Sequence, residues 1–291
     1  MRQALHLQQI TGLAKLADYY QGFLVDAWGV LHDGVQPYPG AIECLKKLQM
    51  HDKVVVILSN AARRKQATIN ELAHVGIDRP LYQTVICSGE LVWQALRKPD
   101  CEPYQSLGQT GYYLGTDRSR GLLQGLDKHW VEQPEHASFI LNTGVPPGYR
   151  YTIDAVEPLL LSLVGLHLPM LCANPDLIAI RGGVMGISAG SIAQRYEQLG
   201  AGKVYRVGKP NSSIYTQALQ QFPEIPTMQW LAIGDAFATD IQGAVQARLD
   251  SLLIAGGIHH PQLIPITIDK VVKMAAMYKS TPHYCCEFLR W

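Results

Sequence analysis

Asp26, Ser59, Asn60, Lys209, Asp235 and Asp240 are the residues of this chain whose types and settings could do chemistry. Asp26 ends the apolar run "FLVD", Ser59 and Asn60 end "KVVVILSN", Lys209 stands in "VGKPN", and Asp235 and Asp240 bracket "GDAFATD". Carboxylates converging on one crevice repel one another unless a cation lies between them, and oxygen-only ligands favour Mg²⁺. Ser59 and Asn60 precede a predicted helix whose N-terminal amides could hold an anion, and Lys209 would be a point charge beside it. Each residue alone also reads as a helix cap or a solvated side chain, so the meaning rests on the set. "VGKPN" is not a P-loop: the first glycine is out of register, and Pro210 stands where Ser or Thr is required. Pro210 suits the first turn of the next helix.

The elements that must position this set recur in short units. "FLVDAWGV" reads as a strand running into a loop, "AIECLKKLQM" as an amphipathic helix opened by Pro39 and Gly40, and "KVVVILSN" as a second buried strand. "RRKQATINELAHVG" is the next helix, with Gly76 as its C-cap. The beat returns in "KVYRVGKPNSSIYTQALQQF", "MQWLAIGDAFATDIQGAVQARL" and "DSLLIAGG". Alternating strands and helices imply an α/β fold with a doubly wound, Rossmann-like parallel sheet, in which ligands bind beyond the carboxyl ends of the strands. "GYYLGTD", "ASFILNTG" and "LPMLCANPDLIAIRGG" lie between the halves with a different texture. Residues 1–82 and 206–291 are therefore expected to form one core, and 83–205 an inserted α/β domain.

Composition narrows the functional classes. The chain has 291 residues, 47% of them apolar and 17% charged, so a folded interior is expected rather than disorder. A formal net charge of +1 with scattered lysine and arginine leaves no footprint for nucleic acid or an anionic membrane. The N-terminal "MRQALHLQQITGLAKLADYYQG" lacks an uninterrupted apolar region, and "PLLLSLVGLHLPMLC" falls short of the ~20 residues a membrane span needs. Six cysteines without C-x-x-C spacing read as free thiols in a reducing cytoplasm, and Cys285-Cys286 as no redox pair. His259 and His260 read as solvated loop histidines, and the aromatic tail "MYKSTPHYCCEFLRW" as docked on the core.

Strand-Asp, strand-Ser-Asn, Lys-Pro and "GDAFATD", in that order, resemble the four motifs of the haloacid dehalogenase superfamily of phosphotransferases. The insertion between the second and third motifs is similar to that of its class IIA, large-capped branch. "ANPD", "AGSIA", "VGKP" and "IGDAFATDIQGA" resemble the branch's phosphatases of sugar phosphates, pyridoxal phosphate and nitrophenyl phosphate. The resemblance implies Asp26 as the nucleophile that forms an aspartyl-phosphate. It implies Mg²⁺ held by Asp26, Asp235 and the backbone carbonyl of Trp28, with Asp240 near its water shell. Ser59, the amide of Asn60 and Lys209 would hold the phosphoryl oxygens of a small phosphorylated metabolite. Cap loops, Asn174 and Asp176 among them, would choose the substrate, as would "GTDRSRG". Homodimerisation through the cap is likewise only implied.

Trp28 departs from the family pattern. The first motif is Asp-x-Asp, and the second aspartate protonates the leaving group and later activates water; an indole does neither at neutral pH. Loss of a general acid/base costs on the order of 10²- to 10⁴-fold in rate. Three explanations stay open: a reaction whose leaving group needs no proton, a substitute such as His32, Asp33 or a cap side chain, or a site that binds a phosphorylated ligand with little turnover.

A rival arrangement comes from "GISAG", which satisfies G-x-S-x-G. With Asp235 or Asp240 and then His259 or His260 it gives the Ser, Asp, His order of a serine esterase using Ser188. The elbow needs a substantial buried strand before the serine, and "RGGVMG" is short and glycine-rich. It also leaves Asp26, Ser59 and Lys209 unexplained.

Overall fold

The computed structural model describes residues 7–291, so the first six positions of the expected 1–82 segment and of the N-terminal segment lie outside the described residues. Within them the chain forms β1 (Gln8–Gln9), β2 (Gly22–Val25), β3 (Val54–Ser59), β4 (Thr84–Cys87), β5 (Thr110–Leu114), β6 (His129–Val131) and β7 (Phe139–Asn142). It continues with β8 (Met170–Cys172), β9 (Ile178–Arg181), β10 (Val184–Ile187), β11 (Val204–Arg206), β12 (Trp230–Gly234), β13 (Asp250–Ile254) and β14 (Tyr284–Cys286). Seven of these make one parallel sheet in the order β1-β14-β13-β12-β2-β3-β4. A second parallel sheet has the order β11-β8-β7-β5-β6, and β9 and β10 form an antiparallel hairpin. The expected α/β class with a Rossmann-like parallel sheet is the class observed.

β2 shows how sequence makes a strand buried on both faces. Phe23 and Val25 pack with Leu31, Leu45 and Val55 on one side of the sheet, while Leu24 packs with Val56, Ile214 and Trp230 on the other. Side chains alternate across a strand, so a sheet covered by helices on both faces demands a near-continuous apolar run. The helix Ala41–Met50 supplies one cover through Ala41, Cys44, Leu45 and Leu48, the i, i+3, i+4, i+7 spacing of a single helical face.

This topology positions the site. β2 lies between β12 and β3. The chain winds outward through β3 and β4 on one side and through β13 and β14 on the other. The switch point, where an open sheet offers a crevice at its carboxyl edge, is therefore the seam around β2. Asp26 follows β2, Ser59 ends β3, and Asp235 follows β12.

Two strands fall across the boundaries expected at 82/83 and 205/206. Thr84–Cys87, just past the first boundary, pairs with β3 at the edge of the first sheet, and Val204–Arg206, which straddles the second, pairs with β8 in the second sheet. A three-residue strand has too little apolar alternation to declare its sheet. Pro210 also differs from expectation: it precedes the N-cap Asn211, whose side chain accepts from the Ser213 amide, and the helix is Ser212–Leu219. The tail does pack on the core, with Tyr284–Cys286 inserted between β1 and β13 and Leu289 buried. No helix of the described residues is long and apolar enough to cross a membrane.

Candidate active site

At the carboxyl edge of the first sheet, one carboxylate oxygen each from Asp26, Asp235 and Asp240 lies within 4.8 Å of the others. All three residues are buried. Lys209 Nζ stands among them, 2.5 Å from Asp26 Oδ1 and 2.7 Å from Asp240 Oδ1, and also donates to the Leu58 carbonyl at 3.1 Å. Residues separated by up to 214 positions in sequence thus meet because β12, β2 and β3 are neighbours.

The loops are built to let these groups approach. Gly29 has φ of +80°, and the space a Cβ would take there is filled by the Asp235 carboxylate. Gly234 presses against the Asp240 side chain in the same way. Asp235 Oδ2 accepts from the Ile258 amide at 2.6 Å, and Asp240 Oδ2 accepts from the Ala236 amide at 3.0 Å. These bonds fix the carboxylates while leaving oxygens turned toward one another.

Electrostatics follow from that crowding. Burial pushes the Asp26 carboxyl above the ordinary range; Lys209 opposes the shift and Asp240 adds to it. Burial also raises Asp235, reinforced by the charges of Asp26 and Asp240. Burial works against the charge on Lys209, yet Asp240 and Asp26 hold its ammonium protonated well above the usual lysine value. Three carboxylates against one ammonium leave a deficit of positive charge in an oxygen-lined pocket, which is the donor chemistry that a hard divalent cation such as Mg²⁺ fits.

Asn60 lies beside Lys209, and Ser59 lines the same cavity. The Asn60 side chain is held at both ends: its Oδ1 accepts from the Lys209 amide at 2.8 Å and from Ser88 Oγ at 3.1 Å. Its Nδ2 donates to the Lys209 carbonyl at 3.1 Å and to Asp176 Oδ1 at 2.8 Å. Ser59 Oγ accepts from the Ala61 amide at 3.2 Å. Asp176 comes from the stretch after β8, so this last Asn60 contact joins the two sheets across the crevice.

A cavity of about 810 Å³ opens over these groups, lined by Asp26, Ser59, Asn60, Lys209, Asp235 and Asp240 on one side. Its far wall includes Asn174, Asp176 and the β9–β10 hairpin. Asn174 is occupied in shaping its own loop, accepting from the Asp176 amide at 2.9 Å and donating to Ser188 Oγ at 3.0 Å. Thr116, Arg118 and Ser119 of "GTDRSRG" also line the cavity.

Trp28 lines the same cavity, its indole edge-on to His32 with ring centroids 5.2 Å apart. His32 is buried, accepts the Gly34 amide on Nδ1 at 2.9 Å, and does not line the cavity. Asp33 is likewise away from it, with Oδ1 accepting the Val35 and Gln36 amides. The two nearby substitutes considered for the missing aspartate are therefore turned to loop structure.

His259 corrects another expectation. It is partly buried between Phe237 and Tyr278, lines the cavity, and accepts the Phe237 amide on Nε2 at 3.4 Å. Sequence neighbours give no sign of that cage, which the helix Ile268–Tyr278 completes. Glu71 was also silent in sequence: it pairs with Arg63 and, at 2.6 Å, with Arg118 from the other side of the crevice. The esterase arrangement does not form. Ser188 Oγ is bonded to Asn174 rather than to a histidine, and the strand before it, β10, is part of an exposed hairpin.

Two family models match the chain: haloacid dehalogenase-like hydrolase over residues 23–127 and HAD-hydrolase-like over residues 206–277. A crystal structure of a haloacid dehalogenase-like family hydrolase from Brucella suis 1330 superposes with a TM-score of 0.82 at 26% identity, covering 96% of this chain and 99% of that one. Chronophin from Bos taurus is 23% identical over 285 residues, 92% of this chain and 90% of the relative. The 5'-nucleotidase YutF of Bacillus subtilis (strain 168) is 23% identical over 244 residues, 82% of this chain and 88% of the relative. A parallel sheet with an acidic crevice at its switch point, facing a second sheet that falls mostly between the two matched segments, defines a capped α/β hydrolase. The chain belongs to the haloacid dehalogenase-like hydrolases.

Proposed function

We propose that the protein is a Mg²⁺-dependent phosphatase of a small phosphorylated metabolite, working through an aspartyl-phosphate on Asp26. The observation that carries this reading is the bridge from Lys209 Nζ to Asp26 and Asp240 beside Asp235, in a cavity that Ser59 also lines. Phosphoryl transfer asks a protein mainly for positioning and charge neutralisation, and this cluster supplies both. Asp26 is the nucleophile. Lys209, Ser59 and the Asn60 amide bind and orient the phosphoryl oxygens.

Asp26, Asp235 and the Trp28 backbone carbonyl would hold Mg²⁺, with Asp240 in the outer shell. When bound, the ion supplies neutralisation of phosphoryl charge. Asn174 and Asp176 contribute to substrate choice from the cap, the segment 83–205 read from sequence, with Thr84–Cys87 remaining in the core sheet. The name of the Bacillus subtilis relative, a 5'-nucleotidase, agrees with a small phosphate ester as substrate. A cytoplasmic homodimer that engages neither nucleic acid nor membrane completes the proposal, in keeping with cysteines that are all free.

Trp28 favours a second reading, a protein that binds a phosphorylated ligand and scarcely turns it over. Calorimetry with a phosphoryl mimic, with and without Mg²⁺, beside phosphate release separates the two. Multiple turnover that depends on Asp26 supports the phosphatase; Mg²⁺-dependent binding without turnover supports the binding protein.

A further inference from the structure

The unmet requirement of this site is a proton donor on the leaving-group side. A phosphoryl group held by Lys209 and Ser59 and attacked by Asp26 expels its leaving oxygen in line, on the face away from Asp26. That face is the cap. Among the described residues, the side chains lining the cavity that can move a proton and have no place in the cluster are few. His259 has its Nε2 engaged by the Phe237 amide, Tyr278 is stacked on Phe237, Tyr151 is exposed, and Tyr38, raised to about 12 by burial, stands on the core side.

We propose that Asp176 is the general acid and base of this enzyme, taking over from the cap the task that the first motif has lost at Trp28. The inference rests on the phosphatase reading. Asp176 Oδ1 accepts from the Asn60 side-chain Nδ2 at 2.8 Å, and Asn60 adjoins Ser59 in the phosphate cradle. Oδ2 has no hydrogen-bond partner among the described residues, and the side chain lines the cavity. Its loop is rigid, because the Asp176 amide donates to Asn174 Oδ1 at 2.9 Å and its carbonyl accepts the Gly190 amide at 3.0 Å. Gly190 permits this approach, since a Cβ there would meet the Pro175 and Asp176 carbonyls. Burial raises the carboxyl above the ordinary aspartate value, against the pull of Lys209, which suits it to carry a proton.

In the first half-reaction an Asp26 oxygen bonds to phosphorus and the bond from phosphorus to the ester oxygen breaks. The electron pair stays on the departing oxygen, which takes the proton of Asp176. In the second, the Asp176 carboxylate takes a proton from water as the water oxygen bonds to phosphorus. The acyl-phosphate bond breaks and its electrons return to the Asp26 carboxylate. Phosphate leaves, and Asp176 is again protonated.

Asp176→Asn keeps an acceptor for the Asn60 side-chain Nδ2 and removes the group that gives and takes the proton. With p-nitrophenyl phosphate, whose leaving group departs unprotonated, the variant is expected to release about one equivalent of nitrophenol in a burst. Its steady-state rate should then fall about 10²- to 10⁴-fold, because the phosphoryl-enzyme waits for its base. With glycerol phosphate there should be no burst, and Trp28→Asp added to Asp176→Asn should restore turnover. Asp176→Ser, read the same way, serves if the asparagine variant does not fold. Wild-type turnover of both substrates by these variants would overturn the assignment, as would an equal loss on both without burst or rescue. A wild-type protein that forms no Asp26-dependent phosphoryl-enzyme would instead fail the phosphatase reading, and the assignment with it.

Discussion

Lys209 Nζ lies 2.5 Å from Asp26 Oδ1 and 2.7 Å from Asp240 Oδ1, a buried ammonium shared by two carboxylates. Breaking a buried pair from one side leaves charge uncompensated, which costs about 3–5 kcal/mol. Lys209→Met is therefore expected to lose that much stability in metal-free buffer, measured by urea unfolding, and to lose phosphatase activity. A change below about 1 kcal/mol would mean that the carboxylates are neutralised by protonation instead.

The same carboxylates should make the protein a Mg²⁺ sensor in a thermal melt. A ligand that binds only the folded state at about 100 times its Kd adds about 2.7 kcal/mol, so Mg²⁺ over EDTA should raise Tm by several degrees. In Asp235→Asn that rise should vanish. An undiminished rise in the variant would remove Asp235 from the ligand set.

Glu71 ties Arg63 of the core to Arg118 of the cap side. Arg118 is partly exposed, so the bond across the crevice should be modest. A double-mutant cycle with Glu71→Gln and Arg118→Ala is expected to give a coupling of at most about 1 kcal/mol, together with a raised KM as the cap opens more readily. Zero coupling with unchanged KM would show that this contact does not hold the cap.

His32 gives a pH signature. Burial lowers its imidazole to about 4, whereas an unfolded histidine titrates near 6.5. Between those values the unfolded chain binds more protons, so stability rises with pH there. The contribution is complete above about 6.5 and is lost as pH falls toward 4, at most about 3 kcal/mol. An NMR titration should find the His32 ring neutral down to about pH 4; a midpoint between 6 and 7 would contradict its burial.

What could be read in sequence, and what could not, follows from range. Asp26, Ser59 and Asp235 are legible because each ends or directly follows an apolar strand buried on both faces, and the α/β beat then places them at one edge. The 205/206 boundary cuts through Val204–Arg206 because a three-residue strand carries no face pattern to mark where one sheet ends. The cage around His259 depends on a helix packing back from residues 268–278. The Glu71–Arg118 pair depends on how the second sheet sits over an ordinary solvent-facing helix. His32 and Asp33 looked available next to Trp28, yet a tight loop uses them for its own amides.

Asp26 carries the central claim, and phosphate release tests it most directly. Purified protein should be assayed across phosphomonoesters and acyl phosphates, with and without Mg²⁺, beside Asp26→Asn. Turnover that needs both Mg²⁺ and Asp26 is the expected result. Silence across the panel from folded protein, or release that survives in Asp26→Asn, would contradict the assignment of this crevice as a phosphatase site.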